Sequence, residues 1–300
     1  MEPAKINSTI WSTFIQRPET LYQTRAIRFR DENKQQFLKA LGFKDRMNIL
    51  EVGCGPGAFC HAMERWLPHS RISGLDRDSV LIKYASEKSE LLGSKCNFII
   101  GDATNLQFPD NTFDATTSHT VIEHVETTRF LSEQYRGLKP GGIFTVLSVR
   151  TGISLNYDPW KNNTDEEKTL MQKVEPYFKA ADQKYDVAKY AINETELPQK
   201  MTAAGFQDIS IHFLVITAIP DSADVNPVLA KTIIEGSRQI ALDAVEIAQA
   251  IATGVLSDAE IERLKWLINT RFDQRIRLYE TGQKIWDVSA SVIMVARGIK

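Results

Sequence analysis

The residues best placed for chemistry lie in the segment 48–57, which reads Asn-Ile-Leu-Glu-Val-Gly-Cys-Gly-Pro-Gly. An apolar strand is expected to end there in a glycine-rich turn, with Glu51 two residues before the first glycine. Glycines permit a positive φ and let the backbone approach a ligand closely. Dinucleotide-binding turns instead follow the spacing G-x-G-x-x-G, and a carboxylate at Glu51 would repel a pyrophosphate. The segment therefore predicts a nucleotide-like cofactor with a cationic end.

Two further carboxylates follow the next predicted strands. Asp76 ends the strand expected at 71–76, about twenty residues beyond the turn, where an acid accepts hydrogen bonds from two ribose hydroxyls. Asp102 follows a strand expected at 96–100 and can accept a hydrogen bond from an adenine amino group. S-adenosylmethionine combines an adenosine with an ammonium and a sulfonium and has no phosphate, so it suits all three acids.

Several segments, in this order, resemble the class I S-adenosylmethionine-dependent methyltransferases, most closely the small-molecule branch that includes the ubiquinone and menaquinone methyltransferases. The matching segments are Glu51-Val52-Gly53-Cys54-Gly55-Pro56-Gly57, Asp76, Gly101-Asp102-Ala103, Phe113-Asp114, Val121-Ile122-Glu123-His124-Val125 and Leu138-Lys139-Pro140-Gly141-Gly142. The resemblance covers roughly residues 45–150, and residues 201–206 resemble the turn before the family's sixth strand.

The resemblance implies which residues bind the cofactor. Glu51 and the backbone of 53–57 would hold the methionine part, Asp76 the ribose, and Asp102 with Ala103 the adenine. The complete set of candidate cofactor-binding residues is Glu51, Gly53, Cys54, Gly55, Gly57, Asp76, Arg77, Asp102, Ala103, Ser118 and His119.

Each residue also has an ordinary structural interpretation. Glycines after a strand often form only a turn, and Asp78 or Ser79 could be a helix N-cap. Cys54 is expected to be an inert packing residue. Cys60 and His61 are neighbours on a predicted helix and point in different directions, so we expect no metal site there.

His119 is the candidate catalytic residue because it follows the predicted fourth strand on the acceptor side of the cofactor. Its ordinary pKa suits proton removal near neutral pH. Methyl transfer from a sulfonium depends mainly on holding the acceptor close and aligned, so a base is needed only if the acceptor must lose a proton. The alternative is that His119 only lines the pocket.

The alternation of predicted strands and helices over 48–150 favours an α/β fold, a Rossmann-like seven-stranded, mostly parallel sheet with helices on both faces. In the resembling family the last strand is antiparallel, and here it is expected at 289–299.

Three segments do not fit this alternation of strands and helices, and they divide the chain into six parts. We expect an N-terminal helical cap (1–40), the cofactor-binding core (41–150), an aromatic lid (151–192), more core (193–219), a helical hairpin (220–287) and the final core strand (288–300). The lid is the expected site of acceptor choice because long aromatic connections are often functional, although it could be a small structural subdomain. The hairpin could pack on the core, over the acceptor site, or against a second subunit in a homodimer.

The composition of the 300 residues is that of an ordinary enzyme, with 43% hydrophobic residues and a formal net charge of −2. That charge gives no general basic surface for nucleic acid. Nucleic-acid amino methyltransferases of this family carry an Asn/Asp-Pro-Pro-aromatic motif where residues 118–121 read Ser-His-Thr-Val. Three cysteines, no signal-peptide pattern and no long apolar run predict a cytoplasmic location without an integral membrane span.

The expected function is methyl transfer from S-adenosylmethionine to a small molecule. A regulatory protein that only binds the cofactor, or an enzyme that transfers another group from it, remains an alternative. A nicotinamide oxidoreductase is disfavoured by Glu51 and the glycine spacing. The sequence leaves the acceptor, the atom methylated and the oligomeric state open.

Overall fold

A computed structural model describes residues 9–157 and 163–300, and side chains outside 151–157 within those ranges. The strands are β1 Asn48–Val52, β2 Arg71–Asp76, β3 Asn97–Ile100, β4 Phe113–His119, β5 Leu138–Tyr157, β6 Gln207–Ala218 and β7 Val288–Ile299. The helices are α1 Ile10–Phe14, α2 Pro18–Arg28, α3 Lys34–Leu41, α4 Ala58–Trp66, α5 Ser79–Leu92, α6 Thr127–Gly137, α7 Asp165–Gln172, α8 Glu175–Lys184, α9 Glu196–Ala203, α10 Pro227–Ile251 and α11 Asp258–Glu280.

The seven strands form one sheet in the order β3-β2-β1-β4-β5-β7-β6. Strands β1 to β5 pair in parallel, and β7 is antiparallel to both β5 and β6. The predicted Rossmann-like fold is therefore confirmed. The strand order reverses between β1 and β4, and in open α/β sheets ligands bind beyond the carboxyl ends of the strands at such a point.

The sheet is buried on both faces. Since successive side chains of a strand point in opposite directions, each strand contributes to a core on either side of the sheet. Ile49 belongs to the core on the side of α4, with Phe59 and Met63. Its neighbour Leu50 belongs to the core on the side of α6, with Phe130. The sheet is thus held rigidly between two helical layers, which fixes where its strand ends lie.

The fifth strand is longer than predicted. Pro140-Gly141-Gly142 predict a turn and the following residues 143–149 predict a strand, but β5 begins at Leu138 and continues to Tyr157. The pairing to β4 is irregular across the expected turn, and β7 supplies backbone partners from Ile143 onward to Tyr157. Residues 151–157, expected at the start of the lid, are therefore part of the sheet. The rest of that segment that the structure describes, 163–192, contains α7 and α8.

The insertion between β6 and β7 is a pair of long helices, as predicted. Ser257 and Glu260 have the spacing of a capping box in the sequence, and they form one at the start of α11. The apolar stripe of α11 is buried in a third core with residues of α7 and α10, including Leu170 and Val245. Helix α10 also packs against α1 and α2. No helix within the described ranges has both the length and the apolar character needed to cross a bilayer.

Candidate active site

A cavity opens at the carboxyl ends of β1, β2 and β4, with about 910 Å³ of space free of protein atoms, part of which is open to solvent. Most of the predicted cofactor-binding residues line it, namely Glu51, Gly53, Cys54, Gly55, Asp76, Arg77, Asp102, Ala103 and His119. Gly57 and Ser118 do not line it. Ser118 is fully buried in β4, where its side chain points to the opposite face from His119.

The glycine turn has the backbone conformation that the sequence suggests. The φ angles of Gly53, Gly55 and Gly57 are +73°, +54° and +86°. A Cβ on Gly53 would lie 2.3 Å from Cγ2 of Val121, so no larger residue fits there without movement. Gly57 contributes through the shape of the turn, since it is the left-handed N-cap of α4 and lies against Phe98.

Hydrogen bonds inside the protein hold this turn in place. The N–H groups of Gly53 and Cys54 both donate to the Leu75 carbonyl, at 2.7 and 3.0 Å. The N–H of Gly55 donates to Oδ2 of Asp76 at 2.9 Å. Because these N–H groups already donate within the protein, they are unavailable to a phosphate. The turn is therefore suited to a ligand that does not need backbone N–H donors at this place.

Glu51 lies at the inner end of the cavity and is 2% exposed. Its Oε2 accepts a hydrogen bond from the Cys60 thiol at 3.0 Å. Burial raises the pKa of Glu51 to about 8, because a carboxylate loses its hydration there. A cation bound beside Glu51 would lower that pKa and be attracted by the resulting charge.

Asp76 joins the turn to the start of α5. Its Oδ1 accepts from the N–H of Asp78 at 2.9 Å while Oδ2 holds Gly55, and burial raises its pKa. Each carboxylate oxygen has a second lone pair with which to accept from a ligand hydroxyl. Asp78, not Ser79, is the N-cap of α5, accepting from Val80 and Leu81.

Asp102 and Ala103 lie at the other end of the cavity. Oδ1 of Asp102 accepts from the backbone N–H and the hydroxyl of Thr104, at 2.8 and 2.9 Å. These bonds fix the side chain at the rim. Leu75 and Leu81 line the cavity between Asp102 and the turn and give it an apolar wall.

Residues from the N-terminal helices complete the cavity, and sequence reasoning did not assign them to it. Trp11, Leu21, Arg25 and Phe29 line the side opposite the sheet. Trp11 packs edge-on against His124 with ring centroids 4.7 Å apart. Phe14 stacks on Tyr185, beyond the end of α8, at 4.9 Å. The N-terminal helical cap predicted at 1–40 anticipated these helices, but not which of their residues line the cavity.

His119 is enclosed by α2. Its Nε2 accepts a hydrogen bond from Nη1 of Arg28 at 2.9 Å, and its ring packs edge-on against Phe29. Burial first, and then the positive charges of Arg25 and Arg28, hold the pKa of His119 well below its usual range. A histidine in this setting is a weak base, so its surroundings favour the lining role over proton removal.

The surroundings of the cysteines are those of residues that only pack in the core. Cys54 and Cys60 are buried free thiols, and burial raises the pKa of Cys54 to about 11. His61 is directed away from Cys60 and shares a 2.7 Å hydrogen bond with the Ser89 hydroxyl. Among the described side chains, no three His, Cys, Asp or Glu residues are grouped to hold a metal.

Known proteins resemble the part of the chain that builds this cavity. Residues 50–146 match a family model described as a methyltransferase domain. A sterol 24-C-methyltransferase of Gibberella zeae is 36% identical over 109 residues, which are 35% of this chain and 28% of that protein. Norajmaline N-methyltransferase of Rauvolfia serpentina is 30% identical over 134 residues, 44% of this chain and 45% of that protein. The chain thus spans less than half the length of these relatives.

A solved structure shares the fold over nearly the whole chain. Phosphoethanolamine N-methyltransferase 2 of Haemonchus contortus, in complex with S-adenosyl-L-methionine, has a TM-score of 0.55 at 17% identity. The alignment covers 99% of this chain and 61% of that one. Residues 50–146, which match the methyltransferase-domain model, include the glycine turn and every strand-end acid of the cavity, so this part of the chain is a methyltransferase domain.

Proposed function

We propose that the protein transfers a methyl group from S-adenosylmethionine to a small-molecule acceptor. The observation that carries this proposal is Glu51, a buried carboxyl with a pKa of about 8 in the same cavity as Asp76 and Asp102. A cationic amino-acid end beside Glu51, a ribose at Asp76 and an adenine at Asp102 account for the three acids together.

The cofactor supplies an activated methyl group on a positively charged sulfur. The chain's own residues bind and orient it, and α1 and α2 exclude water from the cavity. Trp11 and Phe29 provide apolar walls on that side. Such enclosure favours reaction with an aligned acceptor over side reactions.

For His119 we propose the lining role. It holds the Arg28 guanidinium at 2.9 Å and remains neutral near neutral pH, because burial and the two arginines lower its pKa. On this proposal the reaction depends on alignment, and a proton released by the acceptor leaves by another group or by water.

The finer assignments are also proposals. The relatives' names, which mention a sterol and norajmaline, support a small-molecule acceptor, as do the net charge and the Ser-His-Thr-Val sequence at 118–121. We propose a cytoplasmic enzyme of the branch similar to ubiquinone and menaquinone methyltransferases, without a nucleic-acid substrate. The six sequence segments are retained as the proposed division, except that residues 151–157 join the core sheet, and the rest of the lid segment is the proposed acceptor-selecting element. Any homodimer would use the outer face of the hairpin, since its inner stripe is buried within the chain.

Binding and turnover test this proposal directly. Calorimetry should detect binding of S-adenosylmethionine and S-adenosylhomocysteine and none of NAD. Release of S-adenosylhomocysteine should then be measured against a library of metabolites. Binding of NAD without a response to either sulfur compound would contradict the proposal, whereas cofactor binding without release across a broad library would favour a regulatory protein.

A further inference from the structure

Two arginines of α2 lie at the site: Arg25 lines the cavity, and Arg28 does not line it but contacts the lining residue His119. Arg25 and Arg28 are three residues apart and so lie on one face of the helix. Nη1 of Arg28 donates to Nε2 of His119, and Nη2 of Arg25 lies 3.5 Å from Oγ1 of Thr120. His119 is the last residue of β4, and Thr120 follows it. Both residues line the cavity, as does Arg25.

The two guanidiniums differ in what balances their charge. Arg25 has the carboxyls of Glu123 and Glu51 nearby, and these partly offset the effect of burial on its pKa. Arg28 is close to Arg25 and to a neutral imidazole, and both burial and Arg25 lower its pKa. Among the side chains that the structure describes, no carboxylate lies within ion-pair distance of Arg28.

Elsewhere the chain supplies a counter-charge when it buries a guanidinium. Arg275 lies 2.7 Å from Asp221 and 2.5 Å from Asp287, and Arg271 lies 3.0 Å from Glu167. Arg28 is partly buried, and withdrawing a charge from water without a partner is costly, so an anionic ligand would stabilise its guanidinium. Arginine presents a planar set of donors that matches carboxylate and phosphate oxygens.

We propose that the methyl acceptor carries an anionic group, a carboxylate or a phosphate, that Arg28 binds with help from Arg25 beside His119 at the end of β4. This inference rests on the proposed function and names its acceptor class. His119 acts as a positioning residue, since its Nε2 fixes one arm of Arg28 and leaves the other N–H groups for the ligand.

The methionine carboxylate of the cofactor is the competing anion. A single carboxylate cannot balance both guanidiniums when the same end of the cofactor also carries an ammonium. Arg25 already has Glu51 and Glu123 close to it, whereas Arg28 does not. We therefore assign Arg28 to the acceptor.

The test uses the full chain saturated with S-adenosylhomocysteine, so that the cofactor carboxylate is already in place. Benzoate and phenyl phosphate serve as anionic probes and benzamide as the neutral match, because the cavity has aromatic walls. We expect at least one anionic probe to bind about tenfold or more tightly than benzamide, as charged hydrogen bonds allow. Arg28→Gln should remove that preference, Arg28→Lys should retain part of it, and the exposed-arginine control Arg129→Gln should leave it intact.

A second titration separates the two sources of the anion. Affinities for S-adenosylhomocysteine and for 5′-methylthioadenosine, which lacks the amino-acid end, should change less than threefold in Arg28→Gln. A tenfold loss for the first compound alone would assign Arg28 to the cofactor and overturn the inference. So would equal affinity of the wild-type complex for benzoate, phenyl phosphate and benzamide, a result that needs no variant to fold. Failure of the wild type to bind S-adenosylhomocysteine at all would instead overturn the proposed function.

Discussion

Glu51 is a carboxyl that burial keeps protonated until a cation approaches it. Its pKa is raised from 4.5 to about 8. In the unliganded protein the protonated carboxyl of Glu51 is favoured. The contribution of Glu51 to the stability of the fold is therefore complete below its ordinary pKa and is lost as the pH rises through about 8. Binding of a cation reverses this, because the charged carboxylate then has a partner.

We therefore expect the affinity for S-adenosylmethionine to rise between pH 6 and 7.5, by up to about tenfold per pH unit. The α-amino group of the cofactor stays largely protonated in that range. Calorimetry in two buffers of different ionisation enthalpy should detect proton release on binding. Glu51→Gln should bind more weakly and lose both the release and most of the pH dependence. An unchanged slope in this variant would show that another group is responsible.

The residues of the site differ in how far the sequence identifies them. Glu51, Asp76 and Asp102 each end or follow a strand, so a local pattern places them at one edge of the sheet. Arg25 and Arg28 reach the same place only because α2 packs across the strand ends. No spacing along the chain encodes that contact, so the sequence predicted residues 1–40 as a helical cap without assigning these two side chains to the site.

Among the helices and strands, too, local sequence predicts some features and contacts with distant residues determine others. Strand β2 has the predicted bounds because its apolar residues and its final acid are contiguous in sequence. Strand β5 is longer than predicted because its outer half is paired to β7, more than one hundred residues later. The local turn signal of residues 140–142 persists within the strand, as an irregularity in the pairing with β4 where Gly141 has a φ of +75°.

The glycine turn allows a prediction about a single element. Gly53→Ala places a Cβ 2.3 Å from Val121 in a backbone with φ of +73°. Gly254→Ala is a matched control, since Gly254 has φ of +80° and open space around its Cβ position. The control should lose about 1–2 kcal/mol of stability from the left-handed conformation alone.

Gly53→Ala should lose more stability than the control and should also weaken S-adenosylhomocysteine binding by at least tenfold, because the turn must shift to relieve the contact with Val121. Thermal melting and calorimetry on both variants measure the two effects. If the variants melt alike and both bind S-adenosylhomocysteine normally, the shape of this turn is not what forms the pocket.

At the scale of the whole molecule, the helical hairpin supports the cap over the cavity. Helix α10 packs on α1 and α2, and Oδ2 of Asp243 accepts from the backbone N–H of Arg17 at 3.1 Å. The sequence predicted both helices and left their partner open. A buried stripe identifies the face that packs, whereas the partner depends on how the strands on either side orient the hairpin.

Arg275 ties that hairpin to the sheet. It is 1% exposed on α11 and bridges Asp221, which follows β6, and Asp287, which precedes β7. Arg275→Leu leaves two buried acids without their cation and should lower the free energy of unfolding by about 3–5 kcal/mol. Because α10 supports α2, affinity for S-adenosylhomocysteine should fall as well.

Urea unfolding and S-adenosylhomocysteine titration of Arg275→Leu measure both effects, with the exposed Arg277→Gln of the same helix as the control. The uncompensated charge can be separated from the loss of packing by adding Asp221→Asn and Asp287→Asn to Arg275→Leu. The triple variant should recover part of the lost stability, because its buried groups are neutral. Recovery of cofactor affinity along with stability would link the base of the hairpin to the cap through α10. Loss of stability with unchanged affinity would instead show that α2 holds its position over the cavity without the hairpin.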